Sequence, residues 1–141
     1  MAMTMHLDIV SAEESIFSGT VEFISARSAH GEVGVLPRHS PMLLQLQPGE
    51  VRVKVQGGQE QFFYVGGGML EVQPHVVTIL ADTAARAKDL DEAAAMEAKK
   101  RAEEALRDRS SEMDYARAQA ELAAAAAQLR AIQAMRKNIS R

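Results

Sequence analysis

The chain has 141 residues, no cysteine, a formal charge of −3 and an apolar share of 47%. Those figures exclude a disulfide framework, a thiolate zinc site and a cysteine nucleophile, and they leave no basic surplus to neutralise the phosphates of a nucleic acid. No apolar run reaches the roughly 20 residues that span a membrane, and Met1–Asp8 carry no basic segment ahead of an apolar one, so a soluble intracellular protein without a signal peptide is expected.

Composition changes near residue 85. All nine Gly and all four Pro lie before residue 75, whereas Ala occurs 4 times up to residue 80 and 20 times beyond it. Gly, Pro, Val and aromatics suit strands and turns. Ala with Glu, Lys, Arg and Leu suits helix. The chain therefore reads as an all-β sandwich N-terminal domain over residues 1–87, followed by a C-terminal antiparallel α-helical hairpin over residues 88–141.

In the first half, Met5, Leu7 and Ile9 alternate with His6 and Asp8, and Val21 and Phe23 flank Glu22. Val51, Val53 and Val55 alternate with Arg52 and Lys54. This period places one face of each strand on a core and the other in water. Gln56-Gly57-Gly58-Gln59 predicts a tight two-residue hairpin turn, because Gly tolerates the positive φ that such turns need. Met69–Val72 and Val76–Leu80 predict a second hairpin, with Pro74 in the connection, where its missing N–H costs nothing. Short strands at close intervals indicate a sandwich or barrel.

In the second half, Asp89 and Glu92 fit a capping box at the start of a helix. Leu90, Ala94, Ala98, Ala102 and Leu106 then recur at helical spacing. Arg107–Ser111 interrupts the pattern, and Ser111 or Asp114 would cap a second helix running to Lys137. Its stripe is Ala118, Leu122, Ala125, Leu129 and Ile132. Alanines let two helices approach closely but bury little area each, at about 25 cal/mol per Å². The hairpin is therefore expected to hold together weakly and to depend on what it leans against.

Catalytic signatures are absent: there is no GxSxG, HExxH, GxxxxGK[ST] or EF-hand loop. The four His (His6, His30, His39, His75) lack ligand spacing and read as surface or turn residues rather than a metal site. Gly66-Gly67-Gly68 lacks GxGxxG spacing and leads into a strand, so a bulge or a close backbone approach is expected rather than a phosphate site. Asn138-Ile139-Ser140 matches a glycosylation sequon by chance. Two features stand out. Gly31-Glu32-Val33-Gly34-Val35-Leu36-Pro37-Arg38-His39-Ser40-Pro41 reads as a long loop, and a plain connection and a binding loop on a rigid scaffold fit it equally. From Gln128 onward there are Arg130, Arg136, Lys137 and Arg141 and no acid. Helix-dipole preference accounts for Arg136 and Lys137, and a basic tip that meets an acidic partner is the functional alternative.

At that loop the sequence resembles the bacterial epsilon subunit of F-type ATP synthases. The resemblance covers nearly the whole chain, in order: Leu7–Glu13 with Phe17-Ser18-Gly19, the Gly31–Pro41 segment, Pro48-Gly49, Gly67–Val72, Val77–Ala84 and Leu90–Ala93. It implies a non-catalytic rotor subunit without a cofactor, held in the central stalk with the gamma subunit and the c-ring, peripheral to the cytoplasmic face of the bacterial inner membrane. It implies that the sandwich bridges gamma to the ring, with Gly31, Glu32, Val33, Gly34 and His39 in the contact loop. It also implies that the hairpin can fold against the sandwich or extend toward the catalytic alpha and beta subunits, blocking hydrolysis. Arg130, Arg136 and Lys137 would then meet an acidic segment of beta. A nucleotide-sensing module and a generic adaptor are the alternatives.

Three departures bear on this. ATP-binding members carry an Ile/Leu-Asp-x-x-Arg-Ala motif, and here Leu90–Ala95 places Ala94 at the Arg position, leaving Asp91 as the sole nucleotide-motif candidate. The second helix has Ala and Gln over Ala123–Gln128, where those members place arginines. Without guanidinium forks the phosphates lose charge-assisted donors, so calorimetry of the isolated chain with millimolar ATP is expected to give no clear signal. Arg38 stands where the family commonly has Gly. A positive φ there would strain it, unless the backbone differs or the site has no such need.

Overall fold

A computed structural model describes residues 3–107 and 112–139. Seven strands come first: β1 (Met5–Ser11), β2 (Ser15–Ser28), β3 (Gly31–Val35), β4 (Met42–Val55), β5 (Glu60–Val72), β6 (Val76–Ala81) and β7 (Ala84–Arg86). A single 3-10 turn, Ala87–Asp89, leads into α1 (Glu92–Arg107) and α2 (Glu112–Ile139).

Strand pairing follows the order β1-β6-β5-β4-β2-β3, and β1 also pairs with β2, so five strands close a circuit. The result is a two-layered, barrel-like sandwich. β2, β4 and β5 are long enough to serve both layers. The first parts of β4 and β2 and the end of β5 join β1 and β6, while the other ends pair with one another, β3 and β7. The inward phases of the alternating strands fill the space between: Leu7, Ile9, Val21, Ile24, Val53, Phe63, Leu70, Val77 and Ile79 are fully buried. Phe17 and Phe63 meet edge to face at 5.6 Å, a geometry that the ring quadrupoles favour.

The crossing between layers depends on glycine. Gly67 and Gly68 hold φ of +100° and +134°, and a Cβ at Gly68 would lie 2.1 Å from the Leu80 carbonyl oxygen. The triple glycine is thus a close backbone approach, as expected, but it lies inside β5, which runs unbroken from Glu60 to Val72, and not ahead of a separate strand.

Local details depart from the sequence reading. Val21 pairs with Val55 and Phe23 with Lys54, so Glu22 is an inserted bulge residue and the inward phase passes to Ile24. Phe23 consequently faces out, half-buried, against Gly34 and under the Arg52 guanidinium. The β4–β5 turn holds three residues, not two: Val55 N–H donates to Gln59 O at 2.8 Å and Gly58 N–H to Val55 O at 3.0 Å. Gly57, at the third turn position with φ +103°, supplies the conformation of a type II turn.

Asp91, not Asp89, caps α1, since its Oδ1 accepts the Ala94 N–H at 3.1 Å. Asp89 belongs to the preceding 3-10 turn, and Leu90 is extended. Hence the buried alanines of α1 are Ala95 and Ala102, and Ala94 faces solvent. Asp114 lies within α2; Ser111 and the rest of the link from Asp108 lie outside the described residues, as do Ser140 and Arg141.

Opposite ends of the helices meet. Glu92 of α1 contacts Arg136 of α2, and Ala98 and Arg101 share a recess with Ala125 and Gln128, so the pair is antiparallel. Helix α2 is apolar on two faces. Ala118, Leu122, Ala125, Leu129 and Ile132 form the expected stripe, buried or half-buried. Ala124, Ala127, Ala131, Ala134 and Met135 form a second one, packed on Phe62 and Tyr64 of β5 with Ala87 and Leu90.

Candidate functional site

The Gly31–Pro41 segment is not one loop. Gly31–Val35 is strand β3, paired antiparallel with β2 from Ile24↔Val35 to Ser28↔Gly31. Gly31 has φ +121°, and Ser28 Oγ ties the turn by donating to the Gly31 carbonyl at 2.8 Å and accepting the His30 N–H at 3.1 Å. Val33 packs on the core, while Gly34 leaves room for the Phe23 ring. Glu32 is exposed, and its carboxylate accepts the hydroxyl of buried Ser25 at 2.7 Å.

Leu36–Pro41 is the true loop. Arg38 holds φ +66°, alone among the described non-glycine residues, at a cost of about 1 kcal/mol. The positive φ that favours Gly is thus present, with Arg in it. Arg38 N–H donates to the Pro74 carbonyl at 2.8 Å, anchoring the loop to the β5–β6 turn. His39 is half-buried and donates from Nδ1 to the Ser40 carbonyl at 2.8 Å.

A charged cluster lies beside the docked α2. Glu50 of β4 is half-buried, with one carboxylate oxygen that lacks a hydrogen-bond partner. Burial is the main cause that pushes its carboxyl above the ordinary range, and the Glu32 charge adds to it. Arg130 of α2, Arg52 and Arg27 pull the other way. The structure thus brings Glu32 and Arg130, residues from two separate sequence features, into one electrostatic neighbourhood. Because the folded pKa is raised, the ionised carboxylate costs stability once pH exceeds its unfolded value near 4.5. Glu50→Gln is expected to leave the melting temperature unchanged near pH 4 and to raise it at pH 7. Paired thermal melts at the two pH values check this, and equal melts at both would refute it.

Arg136 is committed elsewhere: it forms a bidentate pair with Glu92. Lys137 is exposed in the last turn of α2. Asp91 is used as the helix cap described above, and Ala94 presents no donor. Under the end of α2 lies a cavity of about 290 Å³ bordered by Phe62, Met135, Lys88 and Arg86. The Arg86 guanidinium there is engaged with Gln61 Oε1 at 3.1 Å and the Ile16 carbonyl at 2.8 Å.

Among the described residues, no helix packs on the other layer of the sandwich. On its outer face Leu43, Val76 and Leu80 are 65%, 42% and 53% exposed, with Leu36 of the loop at 61%. Val10 and Met69 pair directly with Leu80 across the strands. Polar residues are interspersed on this face, since Glu71, Thr78 and Asp8 share the row of Leu43; His6 Nε2 donates to Asp8 Oδ1 at 3.1 Å, and the Ser18 hydroxyl is the main cause that holds the Asp8 carboxyl below its usual range. Sequence reading missed this face and the Glu92 and Glu50 contacts. A signal existed for the face: Val76-Val77-Thr78-Ile79-Leu80 is apolar in both phases, the pattern of a strand covered on both sides.

Among the described residues, no helix is long and apolar enough to cross a membrane. Family models match along the chain: the β-sandwich domain of the ATP synthase delta/epsilon chain over residues 4–87, and its long α-helix domain over residues 88–133. The chain is 67% identical to the ATP synthase epsilon chain of Nitrosococcus oceani, with 99% of each chain covered. It is 64% identical to that of Thioalkalivibrio sulfidiphilus, covering 98% of this chain and 99% of the relative. A chain in the Euglena gracilis mitochondrial ATP synthase, from a cryo-EM structure of OSCP/F1/c-ring, shares the fold with a TM-score of 0.83 at 24% identity, over 92% of this chain and 81% of that one. With both modules matched by family models and relatives aligned end to end, the chain belongs to the ATP synthase delta/epsilon family, among its bacterial epsilon chains.

Proposed function

We propose that this chain is a non-catalytic central-stalk subunit that couples the gamma subunit of a proton-translocating ATP synthase to its c-ring, and that its helical hairpin restrains ATP hydrolysis. The supporting observation is the uncovered apolar sheet face around Leu43, Val76 and Leu80, on the layer that the hairpin leaves bare. Exposed large apolar side chains gathered on one uncovered sheet face mark a site that an assembly covers, and gamma is the partner that the family provides. Gly31, Glu32, Val33, Gly34 and His39 then belong to the end that meets gamma and the polar loops of the ring. Arg130, Arg136 and Lys137 serve the hairpin's approach to an acidic segment of beta, near the alpha and beta catalytic head. Residues 1–87 act as the coupling module and residues 88–141 as the regulatory one. The chain would sit peripherally at the cytoplasmic face of the bacterial inner membrane.

The test is ATP hydrolysis by the matching catalytic complex rebuilt with this chain, either intact or truncated after Ala87. A several-fold rise on truncation, with gamma still bound, is the expected result. An unchanged rate with gamma bound would leave a coupling wedge and remove the brake. Failure of the intact chain to bind gamma would remove the whole reading.

A further inference from the structure

Arg136 sits in the last turn of α2 and reaches back to the first turn of α1. Its Nη1 donates to Glu92 Oε1 at 3.0 Å, and its Nη2 donates to Glu92 Oε2. Parallel N–H···O bonds from one guanidinium to one carboxylate are the strong, oriented form of the ion pair. Glu92 is not occupied in capping its own helix, because Asp91 accepts the N–H of Ala94. Each charge also lies at the helix end whose dipole favours it. The start of α1 is held to the sandwich through Ala87 and Leu90, which pack with Phe62 and Tyr64. A movement that carries the end of α2 away from the sandwich while the start of α1 stays docked breaks this pair.

We propose that Glu92 is an internal stand-in for the acidic partner of Arg136: an intramolecular clasp that closes the hairpin and withholds Arg136 until an external carboxylate surface outcompetes it. The withholding role rests on the brake reading above; the closing role does not. Exposed pairs shift an equilibrium only a few-fold. That is enough here, because the seams it supplements are built mainly from alanine and a near-balanced two-state element responds to small differences.

The chain has no cysteine, so probes can be placed cleanly at Gln59→Cys on the sandwich and Gln133→Cys on α2, both exposed positions. Distance measurements on the full chain then report the undocked fraction. Glu92→Gln and Arg136→Gln are each expected to raise it about threefold. The double variant should go no further than either single one, and the charge swap Glu92→Arg with Arg136→Glu should fall back below the double variant, short of the starting value because both charges then oppose the helix dipoles. Unchanged fractions, or single effects that add in the double variant, would overturn the clasp. In the rebuilt catalytic complex, Glu92→Gln is expected to deepen inhibition of hydrolysis and Arg136→Gln to weaken it. Equal behaviour of the two would overturn the withholding role. If truncation after Ala87 leaves hydrolysis unchanged, the brake reading and the withholding role fall together, and the distance measurements still decide the clasp.

Discussion

Gly68→Ala is expected to destabilise the sandwich by more than about 4 kcal/mol, the range reserved for severe single defects. An added Cβ would lie 2.1 Å from the Leu80 carbonyl oxygen and 2.9 Å from the Ala81 Cα. Both obstacles are backbone, on the strand that pairs directly with Gly68, so neither can swing aside as a side chain would. The φ of +134° adds a second penalty that any L residue meets. Relieving the clash means separating β5 from β6, and that opens the core around Leu70 and Ile79. Urea unfolding of the full chain measures the effect. Gly57→Ala is the matched control: it also has positive φ, but nothing lies within 4 Å of its Cβ. The control should lose only about 1–2 kcal/mol. Similar losses at the two positions would show that backbone conformation, and not the close approach, governs Gly68.

Ala131→Glu is expected to have an equally large effect of a different kind. Ala131 is fully buried against Phe62, Tyr64, Ala87 and Ala127. A carboxylate there would be an unpaired charge in an apolar seam, costing several kcal/mol. The seam cannot absorb this, because its α2 side consists largely of alanine methyls, each worth about 1 kcal/mol or less. The sandwich keeps its own separate core, so the molecule can escape by releasing the hairpin. Hydrogen exchange should therefore show α2 losing protection while the core strands keep theirs. Retained protection in α2 would contradict the packing described. On the brake reading, the same substitution should lower hydrolysis by the assembled complex, since the compact state no longer competes.

The boundary between strands and helices was legible from composition, and so were the inward faces of β1 and of the Val51–Val55 end of β4. Both follow from short-range preferences: period-2 alternation survives in the sequence wherever a strand runs without interruption. The stripe from Ala118 to Ile132 was legible for the same reason. Phe23 was misread because a single inserted residue, Glu22, reverses the phase of everything after it, and nothing local announces a bulge. β3 reads as loop in the sequence because its two glycines weaken the strand signal. The glycines are required by the turn at Gly31 and by the Phe23 ring over Gly34.

What a sequence determines by itself here is which residues turn away from water. It identified two modules, their apolar faces and a basic end of the last helix. Only the tertiary structure decided what each face meets. It gave α2 two partners, brought Arg130 within electrostatic reach of Glu50, joined Arg136 to Glu92 across 44 positions of chain, and left Leu43, Val76 and Leu80 uncovered. Burial preference is a property of a residue and its near neighbours, so periodicity records it. The choice of partner is set by long-range closure of the chain, and local periodicity carries no trace of it.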